Sequence, residues 1–188
     1  LLTLSAGKPN LNPLAVTSPF DRKNTDPSYT ANLQFTPQLG ADNTGLMFGG
    51  SYTNFKYDQL NNYKNANIFG GYAGFGIAGF TILGEFDIAP RYLNVLPDNI
   101  SKDSSSTALM IEGAYELIKG LQAVVRYDRF DPSTDIDKDE VSRLILGFEI
   151  FPYSFIEIRP QYRLQMDASD KDPKVNKDSF VLQFHFWY

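Results

Sequence analysis

The last ten residues alternate in two parities. Phe180, Leu182, Phe184, Phe186 and Tyr188 occupy one parity and all are apolar or aromatic, whereas Ser179, Val181, Gln183, His185 and Trp187 on the other are mixed. A period of two puts the first set on one face of a β-strand. The same alternation recurs upstream. Residues 2–7 predict a short strand, and Ala31, Leu33, Phe35 and Leu39 alternate with Asn32, Gln34, Thr36 and Gln38. Leu46, Phe48 and Tyr52 share a parity within 46–57, and 67–77 is a strand rich in glycine (Gly70, Gly71, Gly74, Gly76), a mark of bends or close backbone approach. Phe80, Ile82, Gly84, Phe86 and Ile88 face away from Thr81, Leu83, Glu85 and Asp87. Leu109, Ile111, Tyr115 and Leu117 oppose Met110, Glu112, Ala114 and Glu116; Leu121, Ala123, Val125 and Tyr127 oppose Gln122, Val124, Arg126 and Asp128. Leu144, Leu146, Phe148 and Ile150 oppose Arg143, Ile145, Gly147 and Glu149; Ile156, Ile158, Tyr162, Leu164 and Met166 oppose Glu157, Arg159, Gln161, Arg163 and Gln165.

This pattern predicts about ten strands, most of them roughly 9 to 14 residues long, and no helix. Ordinary strands average about 5 to 6 residues, whereas a tilted strand that crosses a bilayer needs about 9 to 11. The predicted connections also sort by length. Residues 40–45, 78–79, 119–120 and 152–153 are short turns; 10–28, 58–65, 94–106, 131–140 and 167–178 are longer and polar. Short turns at one end and longer loops at the other are the habit of transmembrane barrels, and a soluble sandwich has no reason to sort its loops so. The expectation is a single all-β domain over 1–188, an antiparallel up-and-down transmembrane β-barrel, with a soluble sandwich ending in an edge strand as the alternative.

Composition narrows this further. Hydrophobic residues make up 43% of the 188, yet no apolar run reaches the roughly 18 residues of a membrane helix. The chain has no cysteine, hence neither disulfides nor thiolate metal sites. A net charge of -5 argues against nucleic-acid binding, which requires a basic footprint. The chain opens Leu1-Leu2-Thr3-Leu4 with no Met and no basic segment before an apolar core, so no signal peptide is expected within it.

Two segments carry a resemblance. The tail Phe180, Leu182, Phe184, Phe186 and Tyr188 resembles the C-terminal strand of bacterial outer-membrane barrels, which the barrel-assembly machinery reads as its signal. Arg126-Tyr127-Asp128-Arg129-Phe130-Asp131-Pro132, Ile158-Arg159-Pro160-Gln161-Tyr162 and the tail together resemble the last strands of Gram-negative outer-membrane porins, the group that includes phosphate-selective O/P-type porins. The likeness covers about the final third of the chain. It implies the bacterial outer membrane, contact with its lipid and lipopolysaccharide, small hydrophilic or anionic solutes, no catalysis, no cofactor and a homotrimer. Porin barrels have about 16 to 18 strands, so ten would be either a C-terminal portion of a larger barrel or a complete small one. An open sheet edge is not tolerated in lipid, so a portion requires its missing strands elsewhere in the molecule.

The parity opposite the apolar one holds the charges, and a charge on a lipid face costs about 2 to 4 kcal/mol at the midplane, so these residues are expected to line the lumen. Arg126, Arg143, Arg159 and Arg163 would form a basic track across three consecutive strands, with Glu112 and Glu116 opposing it from the next. Such a wall sets ion preference by its local field. Alternatively, these arginines pair with Glu149 and Glu157 and simply brace the wall. The acidic run Asp135, Asp137, Asp139, Glu140 lacks the Gly and bidentate Glu of a calcium loop and predicts a solvated outer loop without metal, although divalent bridging to lipopolysaccharide stays open. His185, the single histidine, has no nucleophile placed for it by pattern. The functional expectation is a porin-like channel for passive diffusion, with a non-conducting barrel that anchors or holds a partner as the alternative and a soluble β-sheet binding protein as the third.

Overall fold

The computed structural model describes residues 1–7, 28–37, 39, 44–59, 62–95, 101–167 and 178–187, with side chains described over all of these but 5–7, 56–59, 62–64, 91–95, 101–103 and 167. Ten strands follow one another: β1 (Leu2–Gly7), β2 (Ser28–Phe35), β3 (Thr44–Gln59), β4 (Asn62–Ile77), β5 (Phe80–Val95), β6 (Ser101–Ile118), β7 (Leu121–Asp131), β8 (Val141–Tyr153), β9 (Ile156–Asp167) and β10 (Ser179–Phe186). Each pairs antiparallel with the next, giving one sheet in the order β1 to β10, and the described residues contain no helix. The expected up-and-down order of strands therefore holds. The sheet's two edges, β1 and β10, are not paired with each other.

Register carries the sequence pattern across the whole sheet. Leu4 stands opposite Ala31, Ala31 opposite Tyr52, Tyr52 opposite Phe69 and Phe69 opposite Ile88. Farther along, Phe80 faces Tyr115, Tyr115 faces Ala123, Ala123 faces Phe148, and Phe184 faces Ile158. Because the side-chain period is two, one slipped pairing would turn a strand's apolar set over. No such inversion interrupts the apolar face from β1 to β10. That face is open: Phe180 is 67% exposed, Phe184 54% and Phe186 66%. The opposite face is the covered one. The buried apolar residues Ala66, Val124 and Ile145 lie on it, and so does Glu157, a carboxylate only 3% exposed. This inverts the usual arrangement, in which carboxylates stay in solvent and large apolar side chains go inside.

The strands are staggered. The line of partners that starts at Leu2 passes Leu33, Gly50, Gly71, Phe86, Leu109, Arg129 and Ser142 and ends at Asp167. The first residue of β1 is thus level with the last of β9, so the strands are displaced in one net direction across the sheet.

The two ends of the sheet differ. At one end two-residue turns join β4 to β5 at 78–79, β6 to β7 at 119–120 and β8 to β9 at 154–155. Ala78 and Gly79 both have positive φ, 49° and 80°, the backbone of a type I′ hairpin whose twist suits the flanking strands. Gly120, at φ 84°, sits beside a register shift between Glu116 and Ile118. At the other end the strands run on beyond the apolar band. Three predicted connections need correcting here. Residues 58–65 are not a loop, since Asp58 pairs with Tyr63 and Gln59 with Asn62. Residues 94–106 are mostly strand, with Asn94 opposite Lys102 and Val95 opposite Ser101. The turn expected at 152–153 lies at 154–155, because β8 continues through Pro152 to Tyr153, beside a register shift after Ile150. The predicted loops 10–28 and 167–178 and the turn at 40–45 fall largely outside the described residues, as does Tyr188 of the proposed terminal signal.

Candidate functional site

The charged residues predicted for one wall do share the covered face, and two clusters gather most of them. In the first, Asp128 on β7 binds a guanidinium on each oxygen. Arg126 Nε donates to Oδ1 at 2.6 Å, and Arg143 Nε, directly opposite on β8, donates to Oδ2 at 3.0 Å. The strand geometry dictates this. Residues i and i+2 share a face, so Arg126 reaches its own strand's Asp128, while antiparallel pairing delivers Arg143. Glu112, in register with Arg126 on β6, is 3.9 Å from its Nη1.

The second cluster lies toward the turn end of β8, β9 and β10. Arg159 donates Nε to Glu157 Oε1 at 2.5 Å, and its Nη2 is 2.6 Å from Glu149 Oε1. Glu157 Oε2 in turn meets His185 Nδ1 at 2.7 Å across the β9–β10 pair. A carboxylate 3% exposed is tenable because both oxygens are engaged; left unpaired there it would carry a desolvation cost of several kcal/mol. The bracing arrangement expected for Glu149 and Glu157 is present for Arg159, and Asp128 does the same for Arg126 and Arg143.

Arg163 departs from this scheme. It stands opposite Ile145; among the described residues its one side-chain hydrogen bond goes to Gln161 Oε1 at 3.4 Å, and its Nε, shielded from solvent, has no hydrogen-bond partner. Glu116, at the turn end of β6, is exposed and forms no ion pair among the described residues. The wall thus carries two braced clusters, and Arg163, level with Arg126 through Ile145, joins neither by an ion pair among the described residues.

In front of this wall lies a concavity of about 680 Å³, lined by residues of every strand from β5 to β10, among them Glu85, Asp87, Arg126, Arg143, Arg163 and Gln165. One space touching six consecutive strands means that the sheet curls with its charged face inside.

Several contributors escaped the sequence reading. Asp128 was placed on the right parity but not as the shared partner of two arginines, which only the β7–β8 register reveals. On β4, Tyr72 lies across β3 above Gly49 and donates its hydroxyl to Asn32 Oδ1 on β2 at 2.9 Å. A side chain at Gly49 would stand 2.5 Å from the Tyr72 ring and from the Leu33 carbonyl oxygen. The acidic run after β7 is tied down by serines: Ser133 Oγ lies 2.7 Å from Ser104 Oγ, Ser106 donates to the Pro132 carbonyl at 2.7 Å, and Thr134 N donates to the Ser105 carbonyl at 2.9 Å. Among the described residues no three metal-ligating side chains gather there or elsewhere. Compared with known proteins, the chain matches no protein-family model, no curated protein and no solved structure.

Proposed function

We propose that this chain forms the wall of a bacterial outer-membrane β-barrel acting as a porin-like channel, through which small hydrophilic or anionic solutes diffuse passively without catalysis. The observation that carries the reading is the inverted burial: apolar side chains open to the outside on all ten strands, charged ones covered on the concave face. In water a contiguous apolar surface of this extent is an aggregation liability, since monomers rarely expose more than a few hundred Å² in one patch. In hydrocarbon it is the requirement. The band has a matching height, since the alternating apolar stretches at 69–77, 80–88, 109–117 and 156–164 are each nine residues long, within the roughly 9 to 11 that a tilted membrane strand uses. The net stagger across the sheet supports the same reading, because barrel strands tilt by about 35 to 45° and must shear against one another to close. Two-residue turns at one end and prolonged polar strands at the other suit a periplasmic and an outer side.

In such a barrel β1 and β10 do not stay open, because unpaired backbone groups are not tolerated in lipid. They pair with each other or with further strands. The β10 apolar parity is the surface offered to the assembly machinery, and lipid and lipopolysaccharide cover the outside.

A second reading, a non-conducting barrel serving as anchor or partner-holding scaffold, draws on the two ion-paired clusters, which brace the wall whether or not solute passes. One experiment separates the two. Full-length protein, extracted in detergent and inserted into planar bilayers, is expected to give stepwise ionic conductance. Correctly assembled protein that conducts nothing would exclude the channel and leave the scaffold.

A further inference from the structure

Among the described residues the concavity holds charges of both signs that have no ion-pair partner. Arg163 on β9 meets no carboxylate there, and its Nε has no hydrogen-bond partner. Across the same space stand Glu85 and Asp87 on β5, and neither forms an ion pair among the described residues. Asp87 is bent over the backbone of β4, where Gly70 leaves room for its carboxylate beside Ser51 Oγ. Elsewhere on this face the arginines are matched. Arg126 and Arg143 share Asp128, and Arg159 holds Glu149 and Glu157. Unmatched groups of opposite sign on opposing sides of one cavity make a transverse field.

From this we infer that the concavity is a binding site for a zwitterionic solute of amino-acid or dipeptide size. The solute's carboxylate takes the Arg163 guanidinium, the ligand geometry that an arginine fork suits best. Its ammonium takes Glu85 and Asp87. At about 680 Å³ the space is within the range of small-ligand sites. The inference rests on the channel reading and sharpens it, because a purely anionic solute would engage Arg163 and be repelled by the β5 carboxylates.

The test uses full-length protein in planar bilayers carrying KCl current, with four probes of nearly equal size: 4-aminobutyrate, butyrate, butylammonium and butyramide. The zwitterion is expected to modulate the current at about one-tenth the concentration that the other three need, as loss of one charged hydrogen-bonded contact predicts. In Arg163→Gln the preference shifts to butylammonium; in the double variant Glu85→Gln, Asp87→Asn it shifts to butyrate. Heat-modifiable migration on gels verifies that each variant is assembled. Intact KCl current with equal response to all four probes overturns the zwitterion site and leaves the channel. So does a preference for butyrate in the unmodified protein, which would make the site one for anions. Absence of any current removes the channel and the site with it.

Discussion

The covered face is built in two chemistries. Across β2 to β4 its described side chains are uncharged and fitted by shape: Tyr72 lies flat in the room left by Gly49 and ends on Asn32, and Gly70 leaves room for Asp87 of β5. Across β6 to β10 it is fitted by charge: Asp128 holds two arginines, Arg159 holds two glutamates, and Glu157 holds His185 as well. Both halves occupy the same lattice of alternating positions behind the same apolar exterior. The difference shows that the apolar exterior constrains only one parity. The other is free to be stabilised by absent side chains or by complementary ones, and the two solutions fail differently. A neutral hydrogen bond contributes about 1 kcal/mol and a charge-assisted one about 1.5 to 3. The charged half should therefore be sensitive to deletion of a group, and the neutral half to addition of one.

The largest effect is expected at Glu157. Glu157→Ala removes the acceptor for Arg159 Nε and His185 Nδ1 together and leaves both facing a buried gap. A loss of about 2 to 4 kcal/mol is expected, from the worth of charged hydrogen bonds and the cost of stranding a partner. Urea unfolding in detergent micelles measures it. Glu116→Ala, on the same face but exposed and without an ion pair, should change the midpoint by less than about 0.5 kcal/mol. Equal effects at the two glutamates would mean that the cluster does not brace β9 to β10.

Next is an addition to the neutral half. Gly49→Ala inserts a methyl group 2.5 Å from both the Tyr72 ring and the Leu33 carbonyl oxygen. The ring can move aside and the carbonyl, held in the ladder, cannot, so overpacking should cost about 1 to 3 kcal/mol. Combining it with Tyr72→Ala should restore part of that loss but not all. Full restoration would show that the β2 backbone gives way, and no initial loss would show that the ring does not lie over Gly49. Gly71, whose added Cβ would meet nothing, supplies the matched control.

Much of this was legible in the residues. Parity assigned an apolar face to β2, β3 and β5 to β10, because a period of two separates the two sides of a strand. The polar extensions were not legible for the same reason. Beyond the apolar band, as in Asn62-Tyr63-Lys64-Asn65-Ala66-Asn67, polar residues occupy both parities of the strand, so the period-two signal vanishes and strand reads as loop. Pro152 misplaced a turn, since a proline punctuates most chains but is tolerated at the irregular end of β8, where the register shifts after Ile150. Partners across strands were hidden as well. Arg143 sits fifteen residues from Asp128, and only a register that depends on the length of the intervening loop brings the two together. The same holds for Tyr72 and Asn32, forty residues apart and separated by a whole strand.

That long-range pair gives the smallest and most discriminating test. Tyr72→Phe keeps the ring over Gly49 and deletes only the hydroxyl that donates to Asn32 Oδ1. If the neutral half is held mainly by shape, the ring supplies most of the contact and the loss stays near 1 kcal/mol, the worth of one neutral hydrogen bond. Asn32→Ala should cost a similar amount, and the double variant little more than either alone, because each single change already breaks the one bond they share. Additive losses in that cycle would mean that Tyr72 and Asn32 act on separate neighbours, and the neutral half would then be joined strand by strand rather than across β3. A Tyr72→Phe loss as large as that of Glu157→Ala would erase the contrast between the halves. It would show that the Tyr72 hydroxyl is as strongly desolvated as the buried Glu157 carboxylate.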